Sequence, residues 1–327
     1  MRARLRSWWQ KTSKPLNAVI VTALVVLLAL LVVIILGYIF NWPWTGLRER
    51  TLYDWLQLLI IPVVLALGGY LFNYTTNRNE QKATQLRAQG EREAAEKQAQ
   101  AEREIALDNQ HEQALQAYID GMSALLLEKN LRKSGEDDEV RNIARVRTLT
   151  VLPRLDPVRK ASVLNFLYES RLIDKGKIIV DLNGADLRGV ELTEVNLSQI
   201  SLTGAKLSSA KLDFAFLIEA DLSYVDLSEA NMTSVNLSET YMDNADLHGA
   251  FLFLADLSNT SLSDANLLKA NLLKASLRGA DLSGTNLSGA ILAGADLRGA
   301  TGITIEELEK RANSLKGATM PDGSKHA

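Results

Sequence analysis

Over residues 180–300 a large aliphatic residue returns at every fifth position, from Leu182, Leu187 and Leu192 to Leu297. Met232 and Met242 are the only substitutes in 24 consecutive registers. Five helical residues advance roughly 500°, which scatters such a series around the whole cylinder. Five strand residues place successive leucines on opposite faces. The chain must therefore turn once per repeat, and so short a fixed period predicts a solenoid. Two residues before each Leu stands a small or β-branched residue, such as Ala185, Ala205, Val190 or Val195, which shares the inward side in extended backbone. The residue between them points outward and is mostly Asp or Asn, as at Asp186, Asn196 and Asp226. Two corner residues complete the unit, as in Leu187-Arg188-Gly189.

This unit resembles the pentapeptide-repeat family, whose consensus A-(D/N)-L-x-x stands here as Ala185-Asp186-Leu187, Ala265-Asn266-Leu267 and Ala295-Asp296-Leu297. The resemblance implies an all-β, right-handed quadrilateral β-helix with four repeats per coil. The 24 registers then form about six coils. At ~4.8 Å per stacked strand the prism is roughly 29 Å long.

The remaining chain divides by hydropathy and charge. Residues 1–17 form a basic N-terminus, and 18–40 an uncharged apolar run of 23 residues, enough to cross a bilayer. It is too long for a signal-peptide core, and no A-x-A-like site follows it. A link over 41–54 carries Trp42, Trp44 and Tyr53, and a second apolar run over 55–77 contains Pro62, Gly68 and Gly69. Two transmembrane helices are expected, with both termini in the cytoplasm because basic residues flank the spans on that side. Residues 78–113, rich in Ala, Gln, Glu, Lys and Arg, predict a solvated helical stalk; Asp108 and Glu112 interrupt any coiled-coil seam. Residues 114–177 predict a small helical domain that caps the first coil. Within it Val140, Ile143 and Arg147 fall at helical spacing, Asp156-Pro157 opens the last helix and Gly176 closes it. The β-helix is placed at 178–302. Residues 303–327 predict a C-terminal capping helix and tail, with Thr304 and Glu307 as a capping box.

Charge changes this picture at one point. The chain has a net charge of −3, yet residues 178–300 carry sixteen Asp/Glu against seven Lys/Arg, so an acidic prism sits in an otherwise basic chain. Some pentapeptide-repeat proteins mimic DNA and bind DNA gyrase, so the resemblance makes DNA mimicry the alternative reading. The outward row Asp186, Lys206, Asp226, Asp246, Asn266, Asn286 holds only three carboxylates and one Lys.

Candidate chemistry is sparse. There is no cysteine, and His111, His248 and His326 have no ligand spacing. No phosphate-binding loop, nucleophile elbow or zinc-protease motif occurs. No catalysis, metal, cofactor or small-molecule ligand is expected, nor a nucleic-acid partner.

What stands out is where outward positions stop being polar. Phe214, Phe251, Phe253, Leu254, Leu273 and Ile291 belong to repeats centred twenty residues or a multiple apart, hence to one side of a four-sided prism, with Phe216 and Ile218 on the next side. A contiguous apolar patch of this kind marks a contact site, covered either by another part of the chain or by a partner. The whole resembles the membrane-anchored pentapeptide-repeat proteins of bacteria. The expected function is a non-catalytic scaffold in the cytoplasmic (inner) membrane that presents its prism to a protein partner or a second copy.

Overall fold

The computed structural model describes residues 15–40 and 52–327, apart from some side chains near the start of each segment. The chain forms two compact units, 1–98 and 99–327. The basic residues before position 15 and most of the link, with Trp42 and Trp44, lie outside the described residues. So does the orientation argued from them.

In the first unit, α1 (Pro15–Ile39) is apolar on every side. Its stretch Val21–Ile39 is the one helix, among the described residues, long and apolar enough to cross a membrane, and 6% of it is buried. The expectation of two spans is corrected accordingly. Residues 55–77 do not form a separate helix: they are the opening part of α2 (Leu52–Glu128), 77 residues with Pro62 inside. Polar residues such as Asn73, Thr75 and Thr76 dilute that stretch. Both threonines return their hydroxyls to the carbonyl of Phe72. The helix runs on through the charged segment because Ala, Gln, Glu, Lys and Arg are strong helix formers.

The second unit takes α2 from Ala99 onward. Asn130, in the left-handed region at φ 53°, ends the helix and leads into a 3₁₀ turn over Leu131–Lys133. Then comes α3 (Glu139–Val151), which buries Ala144 and Thr148, whereas Ile143 is exposed. The stripe expected from Val140 and Ile143 is thus rotated. The reason is polar: the Tyr118 and Thr148 hydroxyls form a buried hydrogen bond of 2.9 Å, and burial pushes the Tyr118 hydroxyl well above its ordinary pKa. α4 (Pro157–Glu169) is capped by Asp156, which accepts from the amides of Val158 and Arg159. That helix stops at Glu169 rather than Gly176. A hairpin follows instead, β1 (Ile173–Asp174) with β2 (Lys177–Ile178).

The repeats then wind as a coil that returns every twenty residues. Parallel bridges join Asp186 to Lys206, Lys206 to Asp226 and onward, and do the same in three further columns. The first side carries 186, 206, 226, 246, 266 and 286, the second 191 to 291, the third 196 to 296 and the fourth 201 to 301. Every Leu or Met of the period-five series is buried, with Leu182 the most exposed at 2%. At every corner but the one after Leu197 the amide after the turn donates to the Leu or Met carbonyl, as from Ala185 to Leu182. The second corner residue has positive φ in all 24 repeats, the geometry of a type II turn.

Each end is partly covered. At the start, Ser201 donates to Ile173, Lys175 donates to Gln199, and Asp174 bridges Ile200 antiparallel. At the finish, the 303–327 segment does not cover the coil with a helix alone. α5 (Ile305–Arg311), with its Thr304/Glu307 capping box, is a seven-residue helix that interrupts the coil and buries Leu308. After it the coil resumes three residues out of phase, Ile291 bridging Ser314 and Asp296 bridging Thr319, and the tail folds back with Lys325 paired to Thr319. Covering an exposed sheet edge in this way blocks strand-to-strand association.

Candidate protein-contact face

The interior cannot carry recognition, since every repeat buries the same side chains. Outward positions differ, and the twenty-residue return decides which of them meet. Phe251 stands in one column with Asn231, Asn271 and Ile291. At the corner between the second and third sides, Leu254 donates its amide to the Leu273 carbonyl, and Phe253 lies in the coil above Leu273. These five residues, Phe251, Phe253, Leu254, Leu273 and Ile291, form one group. Phe214 shares that corner two coils away, with Ser234 between it and Leu254. Phe216 lies on the third side between Asn196 and Asn236, and Ile218 occupies the next corner. The eight residues expected to form one patch are thus a compact five and a separate three that wrap round a corner.

Phe214, Phe216 and Phe251 are about half exposed, at 51%, 46% and 51%, and Leu254 at 48%. Neither the helices of the 114–177 segment nor α5 cover them. Phe214 and Leu254 also hold φ of +59°, a conformation uncommon for bulky side chains. No packing in the interior accounts for aromatic or aliphatic residues there.

Two exposed aromatics escape a reading confined to one side. Tyr224, 65% exposed, occupies the corner between the fourth and first sides at φ +58°. Tyr241, on the fourth side, lies under the Lys175 ammonium, 3.9 Å from ring centre, while that lysine donates to the Glu219 carbonyl. Their signal in sequence is the same as for the phenylalanines: an apolar body where the repeat places a polar residue.

Three carboxylates of the prism, Asp186, Asp281 and Asp296, are held ionised by their own corners. Asp296 is lowered to about 2, chiefly by the Arg298 guanidinium, against a burial effect that raises it. Asp281 is lowered mainly by the Ser283 hydroxyl and amide. Asp186 is held well below the usual carboxylate range, first by Arg188 and also by the Lys160 ammonium at 3.5 Å. Elsewhere Arg159 gathers Asp156 at 2.6 Å, Asp108 at 2.8 Å and Glu112 at 3.0 Å. The two stalk carboxylates that spoil a coiled-coil seam are therefore the ones that fasten α4 to α2.

Two open clefts lie elsewhere in this unit. One of about 960 Å³ is lined by Tyr168, Arg171, Lys175, Gln199 and Glu219, and one of about 370 Å³ by Asp138, Arg141, Arg145 and Asp181. Neither includes a phenylalanine of the patch. Among the described residues no group of three or more His, Cys, Asp or Glu is placed to hold a metal ion.

The family profile "Pentapeptide repeats" matches in eight copies, over 181–217, 200–239, 210–249, 220–259, 252–289 and 280–302. Among curated proteins, none matches the chain. Among solved structures, the chain is similar to HetL, a pentapeptide repeat protein involved in heterocyst differentiation regulation from the cyanobacterium Nostoc sp. strain PCC 7120. The identity is 26% over 50% of this chain and 98% of that one, with a TM-score of 0.21. It is similar to a pentapeptide repeat protein (Rfr23) from the cyanobacterium Cyanothece 51142, with 35% identity over 33% of this chain and 83% of that one and a TM-score of 0.19. It is also similar to QnrB1, a plasmid-mediated fluoroquinolone resistance protein, with 19% identity over 44% of this chain and 82% of that one and a TM-score of 0.25.

Proposed function

Because this chain belongs to the pentapeptide repeat family, with its repeats over residues 181–302, we propose that it is a non-catalytic platform on whose prism another protein docks. The observation that carries this reading is the second side with its adjoining corner, where Phe251, Leu254 and Phe214 stand about half exposed on a rigid coil. Exposed apolar clusters on otherwise polar surfaces are contact sites. A stacked β-coil holds such a cluster in fixed geometry, so ordering it on binding costs little.

The same reading takes α1 as a membrane anchor. A helix apolar all round needs a core or a bilayer, and this one is not buried against protein. Its uncharged run also exceeds the length of a signal-peptide core. A second span and a fixed orientation are not part of the proposal.

A gyrase-directed DNA mimic is the competing reading. It requires acidity distributed along the prism, whereas Asp221, Asp226, Asp243, Asp246, Asp264 and Asp281 gather round one corner and residues 248–254, 268–274 and 288–294 carry no carboxylate. Inhibition of gyrase supercoiling by the purified chain at micromolar concentration is the result that would favour it.

The docking reading is tested with the full chain fused to a proximity-labelling enzyme in native membranes. Replacing Phe251, Phe253 and Leu273 with Ser should remove a defined set of labelled neighbours at least tenfold while leaving thermal unfolding within a few degrees. Unchanged labelling would sink the reading.

A further inference from the structure

Acidity is not spread evenly round the prism. At the corner between the fourth and first sides lie Asp221, Asp226, Asp243, Asp246, Asp264 and Asp281. Residues 221–228, 241–248, 261–268 and 281–288 contain no lysine or arginine. Tyr224 projects from this acidic corner, 65% exposed.

Over its last three coils the second side is the reverse. Residues 248–254, 268–274 and 288–294 contain Lys269 and Lys274 and no carboxylate. Lys316 follows in the next coil, its carbonyl accepting from the Gly294 amide at 2.9 Å. Among the described residues none of these three lysines has a carboxylate within ion-pair distance, although Lys160 and Lys211 each do. On an acidic prism they are unpaired cations; they flank Phe251, Phe253, Leu254 and Leu273 on the first-side edge and in the coils below, with Glu229 and Asp256 bordering the group elsewhere.

In a four-sided coil the corner after the fourth side and the corner after the second are diagonally opposite. One rigid body therefore carries an acidic surface with a projecting aromatic on one edge and an apolar surface flanked by three unpaired lysines on the other. Two different, complementary patches make a heterologous contact, which repeats from copy to copy without closing on itself. Pairing the second side with its own equivalent would bring six lysines together with no carboxylate from residues 248–254, 268–274 or 288–294 between them. Pairing it with the acidic corner places Asp against Lys and the Tyr224 ring against Phe and Leu.

We propose that copies of this chain pack side by side, the Tyr224 corner of one prism seated on the Lys269/Lys274 side of the next. The proposal rests on the docking reading of the second side and names its occupant as a second copy of this chain.

The absence of native cysteine makes site-specific disulfide trapping direct. Full-length chain bearing Tyr224→Cys and full-length chain bearing Leu273→Cys are reconstituted together in vesicles and oxidised. The mixed disulfide should form at least tenfold faster than either homodisulfide, and should slow as salt rises from 50 to about 500 mM, because paired surface charges are screened. Adding Lys269→Glu, Lys274→Glu and Lys316→Glu to the Leu273→Cys chain should abolish the mixed product. Adding Asp226→Lys, Asp243→Lys and Asp246→Lys to its partner should then restore it. A dominant Leu273→Cys homodisulfide, a mixed rate no faster than that of a Ser198→Cys control, or failure of the charge swap to rescue would each overturn the proposal. If trapping fails while the serine variant still loses labelled neighbours, the docking reading stands and only its occupant is wrong.

Discussion

Positive φ at the second corner residue is the smallest unit on which the prism depends. Nine of the 24 corners use glycine and fifteen do not, among them Phe214, Tyr224 and Leu254. A left-handed non-glycine residue costs about 1–2 kcal/mol, and the coil imposes that conformation because each turn must re-enter the ladder in phase. Gly302 combines this conformation with a close approach. Its φ is +75°, and a Cβ there would stand 2.4 Å from the Ser283 amide nitrogen and 2.6 Å from the Ser283 Cα. Both are backbone atoms and cannot swing aside. Gly302→Ala should therefore destabilise the second unit by about 2–4 kcal/mol, from left-handed strain plus overpacking, as measured by chemical unfolding. A loss below about 0.5 kcal/mol would show that the exit from the last coil relaxes freely. Glycine-rich corners suggest this geometry in the sequence. That Phe and Leu share it is not legible there, since no local preference selects it.

At the level of elements, the joint between α4 and the first coil runs through Lys160, which is buried, donates to the Arg188 carbonyl at 3.1 Å and faces Asp186. Asp186 has its folded pKa below the unfolded value of about 3.9. Its contribution is thus complete above that value and is lost as pH falls toward the folded pKa. Asp186→Asn should cost about 1–3 kcal/mol at pH 7, the range for a hydrogen-bonded charge left without its partner. The difference from the native chain should narrow as pH drops below about 4. A difference that stays constant from pH 7 to pH 3 would remove the ion pair from the account. The helices of this region were partly legible. Asp156-Pro157 and Thr304/Glu307 are local capping signals, and both caps form. The β1–β2 hairpin was not, because two-residue strands carry no period and form where Ile173 and Lys175 meet Ser201 and Gln199 of the first coil. The phase shift after α5 was hidden likewise, since it depends on Leu308 finding the interior.

For the whole molecule the membrane question is separable from the prism. Deleting residues 1–51 removes α1 and should move the chain from the carbonate-resistant membrane fraction to the soluble one, because the deletion takes away the uncharged apolar run that a bilayer accommodates. A truncated chain that still resists carbonate extraction would mean that the first part of α2 holds it in the bilayer. The second unit should retain its unfolding transition in either case, its core being built from α2 residues from Tyr118 onward, the cap and the coils.

By itself the sequence determined the interior. A large aliphatic residue every five positions leaves one way to bury them all, and each repeat solves that problem with neighbours five residues away. What it did not determine is the exterior. Phe251 and Leu273, Lys269 and Lys274, or Tyr224 and Asp243 become neighbours only when the chain returns after twenty residues and pairs in parallel with itself. Contacts between coils are non-local, and they alone gather six aspartates at one corner and Phe251, Phe253, Leu254 and Leu273 at and beside the corner opposite.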